Sequence, residues 1–309
     1  MHHQPVLLNE VLELLAVRPG GTYVDGTVGS GGHALSILEK AGPGGLLIGI
    51  DRDAEALERV RGRLAAWDKQ CVLVHGNYGD VMDIVRNRGI ERVDGVLLDI
   101  GVSSEQLETP RRGFSFMKDG PLDMRMDPSQ GRTAADVVNG LAEADLYSIL
   151  RSRGEEPRAR QIARAIAKDR EHAPFATTLQ LASLVSRVSG GRRGRIHPAT
   201  RTFQALRITV NEELECLQKG LAGALALLAR GGRMAVITFH SLEDRIVKRF
   251  FAGHAGRWES LQAGGRRWVG DEPAVALVNR KPIIASAEEM ARNPRSKPAK
   301  LRAVESMAS

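Results

Sequence analysis

Asp25-Gly26-Thr27-Val28-Gly29-Ser30-Gly31-Gly32-His33 brings a carboxylate, several glycines and an imidazole into one short segment. Glycines let a backbone turn sharply and let a ligand approach main-chain N–H groups near a helix N-terminus. Gly29 to Ala34 also satisfies G-x-G-x-x-A, the dinucleotide pattern, so a nicotinamide cofactor has to be weighed against S-adenosylmethionine. Three carboxylates help to decide. Asp51 and Asp99 each close an apolar run, as Asp25 does. An acid at the position of Asp51 accepts ribose hydroxyls and suits either cofactor. Asp25 discriminates, because it attracts the ammonium of S-adenosylmethionine and repels a pyrophosphate. Helix capping explains one such aspartate easily, but three at strand ends poorly. The balance favours the sulfonium cofactor.

The elements that must position these groups are legible as alternating runs. Tyr23–Asp25, Leu46–Asp51, Val72–Val74 and Val93–Ile100 read as strands, with helices over 34–41, 54–67 and 78–87 between them. Continuous apolar strands alternating with helices mean a parallel sheet covered on both faces. After Ile100 the rhythm changes to loops and then helices at 133–139, 143–153, 159–170 and 178–189, with no strand expected. The α/β pattern returns with a long helix over 211–229, ended by Gly231-Gly232. A strand follows at 234–239, a helix at 242–251 and one or more last strands within 274–284. The tail after Arg292, rich in Pro, Arg and Lys, is expected to be exposed. The architecture is therefore an α/β sheet domain, residues 1–107 with 210–309, interrupted by a helical insertion over 108–209.

Charge is distributed unevenly. Residues 1–150 hold 15 basic against 22 acidic side chains, residues 151–207 hold 13 against 4, and residues 208–309 hold 16 against 11. The basic middle suits a polyanion. Arg192, Arg193 and Arg195 lie among glycines, which suits a loop moulding to phosphates. No apolar run reaches membrane-spanning length, no leader pattern is visible, and two cysteines make no disulfide framework or zinc spacing. The default compartment is the cytoplasm, no metal is expected, and a homodimer is left open.

Eight ordered blocks carry a resemblance to a known family. They are His3-Gln4-Pro5-Val6-Leu7-Leu8, Asp25–His33, Leu98-Asp99-Ile100-Gly101-Val102-Ser103-Ser104 and Arg112-Gly113-Phe114-Ser115-Phe116, then residues 119–127, 197–208, 238–245 and Asn293-Pro294-Arg295-Ser296-Lys297. In these the chain resembles the bacterial ribosomal RNA small-subunit methyltransferase H (MraW) family. The resemblance implies a class I (Rossmann-like) S-adenosylmethionine-dependent methyltransferase fold with an inserted helical RNA-recognition domain. It implies N4 methylation of a cytidine in the decoding centre of 16S ribosomal RNA, with RNA inside the small ribosomal subunit as the expected partner. Carried over by position, it implies Gly31, Gly32, His33, Asp51, Tyr78, Asp99 and Gln106 as cofactor residues, to which the strand-end argument adds Asp25.

Methyl transfer to an exocyclic amine needs positioning and a hydrogen-bond acceptor for the amine. The turn after Asp99 lacks the Asx-Pro-Pro-aromatic motif of many amino-methyltransferases, so the candidate acceptors are Asp99, Ser103 and Ser104. The loop holding Phe114, Phe116 and Arg125 is either a clamp on RNA or a packed connection. Arg201 and Arg207 suit phosphates or structural carboxylates, and His240 suits the substrate or a helix cap. C5 methylation needs a thiolate, and both Cys71, opening what reads as an interior strand, and Cys216 look like packing residues. The competing functions are a non-catalytic RNA-binding ribosome-assembly factor and a nicotinamide-dependent oxidoreductase.

Overall fold

The computed structural model describes residues 5–191, 197–260, 264–269 and 272–308. The chain divides into two compact units, Met1–Gly101 with Leu214–Ser309, and Val102–Glu213. Before the second unit come α1 (Leu8–Leu14), β1 (Thr22–Asp25), α2 (Gly32–Ala41), β2 (Leu46–Asp51), α3 (Ala54–Arg63), β3 (Cys71–His75), α4 (Val81–Arg86) and β4 (Val93–Asp99). The second unit holds α5 (Ser104–Glu108), α6 (Ala134–Gly140), α7 (Glu143–Ser152), α8 (Ala159–Asp169), α9 (Thr178–Val188) and α10 (Thr200–Asn211). Then follow α11 (Glu213–Leu227), β5 (Leu228–Thr238), α12 (Ser241–Ala255) and a hairpin of β6 (Arg257–Ser260) and β7 (Arg266–Val269). β8 (Val275–Leu277), α13 (Ala287–Arg292) and β9 (Lys300–Ser306) complete the order.

In the first unit a seven-stranded sheet runs β3-β2-β1-β4-β5-β9-β8. The strands from β3 to β5 pair in parallel, while β9 is antiparallel to both β5 and β8. Side chains alternate across the sheet with the two-residue period of a strand. Tyr23, Leu47, Leu97, Ala235 and Ile237 join the core formed with α1, α2 and part of α3. Val24, Ile48, Val96, Leu98 and Val236 join the other, formed with α4, α11 and α12. Burial on both faces is why these strands read as unbroken apolar runs.

Several sequence expectations need correction. The tail after Arg292 is not wholly exposed, since Leu301, Ala303 and Val304 are fully buried in β9. The charges that made this segment look polar are paired: Arg302 donates to Asp244 of α12 at 2.7 Å, and Glu305 accepts from Arg233 of β5 at 2.9 Å. The expected helix over 211–229 is broken at its start, because Asn211 ends α10 and Glu212 takes a left-handed φ of 51° before α11 begins. Gly231-Gly232 do not end that helix; they lie inside β5, where the pairing with β4 shifts register between Val93 and Gly95. Glycine at a positive φ, 75° at Gly231, accommodates that irregularity. β3 is an edge strand, so Cys71 does not open an interior one.

The second unit is helical among the described residues apart from one isolated bridge, Pro121 to Thr177. Phe114, Leu122 and Met124 are buried in its core with Val137, Leu146, Ile162, Leu181 and Phe203. Among the described residues no helix is long and apolar enough to cross a membrane.

The packing of β9 gives a first prediction. Leu301 is fully buried between β5 and the surrounding core, so Leu301→Ala should lower stability by about 2–5 kcal/mol. Urea denaturation followed by circular dichroism reads this directly; an unchanged midpoint would contradict a buried last strand.

Candidate active site

The parallel order brings Asp25, Asp51 and Asp99 to the carboxyl ends of β1, β2 and β4. The turn leaving β1 is built by its own glycines. Gly31 is the left-handed N-cap of α2 with φ 76°, and a Cβ on Gly32 would lie 2.3 Å from the Pro5 ring. A side chain at either position would push the loop out of place.

None of the three aspartates caps a helix with its side chain. Gly31 stands at the start of α2 without a side-chain cap, Asp53 caps α3, and Ser103 caps α5. The aspartates are tied into the turns instead. Asp51 accepts the N–H of Gly29 at 2.7 Å and of Asp53 at 2.8 Å. Thr27 joins the other two, donating its N–H to Asp25 at 3.1 Å and accepting the Asp99 N–H on its hydroxyl at 2.7 Å. Thr27 is absent from the sequence candidates; its signal is the Asx-type turn of Asp25-Gly26-Thr27.

Asp25 is 1% exposed and His33 is 6% exposed. His33 Nε2 lies 3.6 Å from Asp99 Oδ2, beyond hydrogen-bond reach. Among the described residues, Asp25 Oδ2, Asp99 Oδ1 and both ring nitrogens of His33 are buried without a hydrogen-bond partner. An unpartnered buried polar atom costs about 1–3 kcal/mol, and a group of them at one strand edge points to a polar ligand that satisfies them. Burial pushes Asp25 up to about 7; the His33 charge and the Thr27 N–H pull it down, and Asp99 and Asp51 raise it further. Burial also raises Asp51, against the N–H bonds that lower it. The donor set fits S-adenosylmethionine: two carboxylates with open acceptor positions suit an ammonium and hydroxyls, and Asp51 retains lone pairs for a ribose.

The other predicted residues fall in varied places. Tyr78 is buried in a short 3-10 turn, with its ring so close to α11 that a Cβ at Gly220 would lie 2.7 Å from it. In the second unit Ser103 and Gln106 form a capping box: Ser103 Oγ accepts the Gln106 N–H, and Gln106 Oε1 accepts the Ser103 N–H, both at 3.1 Å. Ser104 follows as the first residue of α5. Arg125 is paired twice with Asp123, at 2.8 Å each. Arg112 donates to the carbonyls of Arg125 and Met126, and Asn211 donates to that of Met124. The Arg125 end of the loop is thus packed against Arg112 and Asn211, while Met117, Lys118 and Asp119 are exposed. Arg207 is held by the Glu213 carboxylate at 2.8 and 2.7 Å, a structural carboxylate and not an open phosphate site. Arg201 is exposed. His240 caps α12, with Nδ1 accepting the Glu243 N–H at 3.3 Å. Arg192, Arg193 and Arg195 lie outside the described residues. Burial and the Asp25 charge push the Cys71 thiol up to about 11, and Cys216 Sγ accepts from Asn77 at 3.0 Å. Neither is poised as a thiolate nucleophile.

A sheet of this order, with one antiparallel strand inserted next to β5, a glycine-rich first turn and acids at the strand ends, defines the class I methyltransferase architecture. The chain belongs to the MraW methylase family, whose description matches residues 1–307. It is 54% identical over 304 residues to a protein of Syntrophotalea carbinolica named ribosomal RNA small subunit methyltransferase H, covering 98% of this chain and 97% of that one. A protein of the same name from Geotalea daltonii is 51% identical over 305 residues, covering 98% of each chain. A crystal structure titled as a putative rRNA-methylase from Clostridium thermocellum aligns at 12% identity with a TM-score of 0.47, over 100% of this chain and 99% of that one. The chain is a methyltransferase, and the nicotinamide reading of its glycine pattern is set aside.

Asp25 makes the site sensitive to pH. Its carboxyl moves from an ordinary 3.8 to about 7 on folding. Between those values the folded protein holds a proton that the unfolded chain has released. Stability from this group is therefore full at the acidic end and is lost as pH rises through about 7. Asp25→Asn has no such proton, so its stability relative to wild type should increase from pH 5 to pH 8 in paired denaturation curves. Parallel pH profiles would show that Asp25 does not titrate there.

Proposed function

We propose that this protein transfers a methyl group from S-adenosylmethionine to N4 of a cytidine in the decoding centre of 16S ribosomal RNA, within the small ribosomal subunit in the cytoplasm. The observation that carries the cofactor half is the set of unpartnered buried atoms on Asp25, His33 and Asp99. The RNA half rests on the names of the relatives and on the basic charge of residues 151–207. The Val102–Glu213 unit is assigned the recognition of RNA.

When bound, S-adenosylmethionine supplies an electrophilic methyl group on a good leaving group. The residues of the chain have to hold and orient. Asp25 receives the ammonium, Asp51 the ribose hydroxyls, and Gly31 and Gly32 keep the backbone close enough for main-chain contacts. Gly31, Gly32, His33, Tyr78 and Gln106 complete the assigned cofactor set. The target amine needs an acceptor as positive charge builds on nitrogen and its proton departs. Ser103 Oγ already receives an N–H from its own helix, so we assign this role to Asp99, whose Oδ1 is open. The protonated Cys71 and the bonded Cys216 offer no nucleophile for C5 chemistry, which agrees with attack by the amine itself.

The deciding experiment supplies labelled S-adenosylmethionine to small subunits from cells lacking this gene, followed by nucleoside mass spectrometry. N4-methylcytidine is the expected product. Cofactor binding without incorporation would favour the binding-only assembly role, and absence of cofactor binding would refute the reading. Asp99→Asn should lower the transfer rate by about 10²-fold, with a smaller change in cofactor affinity; full turnover would remove Asp99 from the mechanism. Asp25→Asn should weaken cofactor binding at pH 8 and flatten its dependence on pH near 7.

A further inference from the structure

The described arginines of the helical unit are largely engaged. Arg125 and Arg207 are held by Asp123 and Glu213, Arg158 donates to the Val188 carbonyl and Arg170 to that of Val138, and Arg187 pairs with Asp169. α8 is different. Its inner face, Ala159, Ile162, Ala163 and Ile166, is buried, while Arg160, Arg164 and Lys168 are exposed. Among the described residues none of these three side chains has an acidic partner. The one acid of the helix, Asp169, is occupied by Arg187.

A solvated helix face ordinarily mixes both signs, as α3 does where Glu58 pairs with Arg61. On α8 the cations recur every four residues. That sets them about 6 Å apart along the axis, in a row on one face. The Arg160 guanidinium also lies 5.1 Å from the centroid of the Tyr147 ring on α7. This contact restrains the side chain and leaves its charge uncancelled. Evenly spaced, uncompensated cations on a rigid helix match a strand of phosphates far better than an apolar or acidic-and-basic protein surface.

We propose that the outer face of α8 is a nucleic-acid contact surface, with Arg160, Arg164 and Lys168 binding successive phosphates of the RNA backbone. The assignment rests on the RNA reading above and adds a surface distinct from the strand-end site. Contacts of this kind position a substrate without reading its bases.

The test measures binding of unmethylated small ribosomal subunits to the full chain over a series of salt concentrations. Arg164→Gln with Lys168→Gln removes two charges while keeping helix propensity nearly constant. The matched control is Lys248→Gln with Arg249→Gln, two exposed cations of α12. The α8 pair should weaken binding about tenfold at physiological salt and reduce the salt slope by about 0.7 per lost contact. Adding Arg160→Gln should lower the slope again, and Arg164→Lys with Lys168→Arg should retain binding. Thermal melting and S-adenosylmethionine affinity should stay at wild-type values. Equal losses from the α8 and α12 pairs, or an unchanged α8 pair beside a binding wild type, would overturn the proposal. A wild type that binds neither subunits nor ribosomal RNA would instead refute the RNA reading, and this surface with it.

Discussion

Two carboxylates of like charge are held near the carboxyl edge of the sheet, and one threonine is bonded to the residues that carry both. Thr27 donates to the Asp25 carboxylate and accepts from the Asp99 backbone, so the first and fourth strands end in a fixed relation. Burial, with repulsion from Asp99 and Asp51 added, favours protonating Asp25 against the opposing His33 charge and Thr27 N–H. A cation at that edge reverses the preference. Such an edge suits the positively charged ligand proposed above, and the glycine turn, α2 and the two flanking cores hold its groups in place.

The parallel half of the fold was legible because its strands are buried on both faces. β2 is the run Leu46–Asp51 without adjustment, and β1 differs from its expected span only by Thr22. β9 escaped notice for the opposite reason: Arg302 and Glu305 interrupt its apolar pattern, and their partners Asp244 and Arg233 are remote in sequence. The ends of the expected long helix were misplaced because glycine marks bulges as well as helix ends. The left-handed residue that starts a new helix is Glu212, a type without that signature.

The candidate site divides along the same lines. Glycines, strand-end acids and His33 could be placed from local pattern, since the alternation of strand and helix fixes which end of each strand they occupy. Polar residues after a strand were harder to judge, because the same side chains that contact substrates also cap helices. Ser103 and His240 both do the latter here. Arginines were the least legible: an acid lies within a few residues of Arg125, Arg207 and Arg164 alike, yet only the first two meet theirs, Asp123 and Glu213, while Arg164 faces solvent. Residue type states the charge; only the fold states whether it is already answered.

The position of β9 also bears on how the protein comes into being. This strand lies between β5 and β8 yet follows both in sequence, and the whole Val102–Glu213 unit separates β4 from its neighbour β5. On a ribosome making the chain from its N-terminus, the helical unit, continuous in sequence, can close on itself as soon as it emerges. The sheet must meanwhile keep the edges of β4 and then β5 unpaired until distant segments arrive, a high-contact-order assembly that exposes apolar strand faces in the interval. The sheet is therefore completed late in synthesis, after the helical unit has had its opportunity to fold.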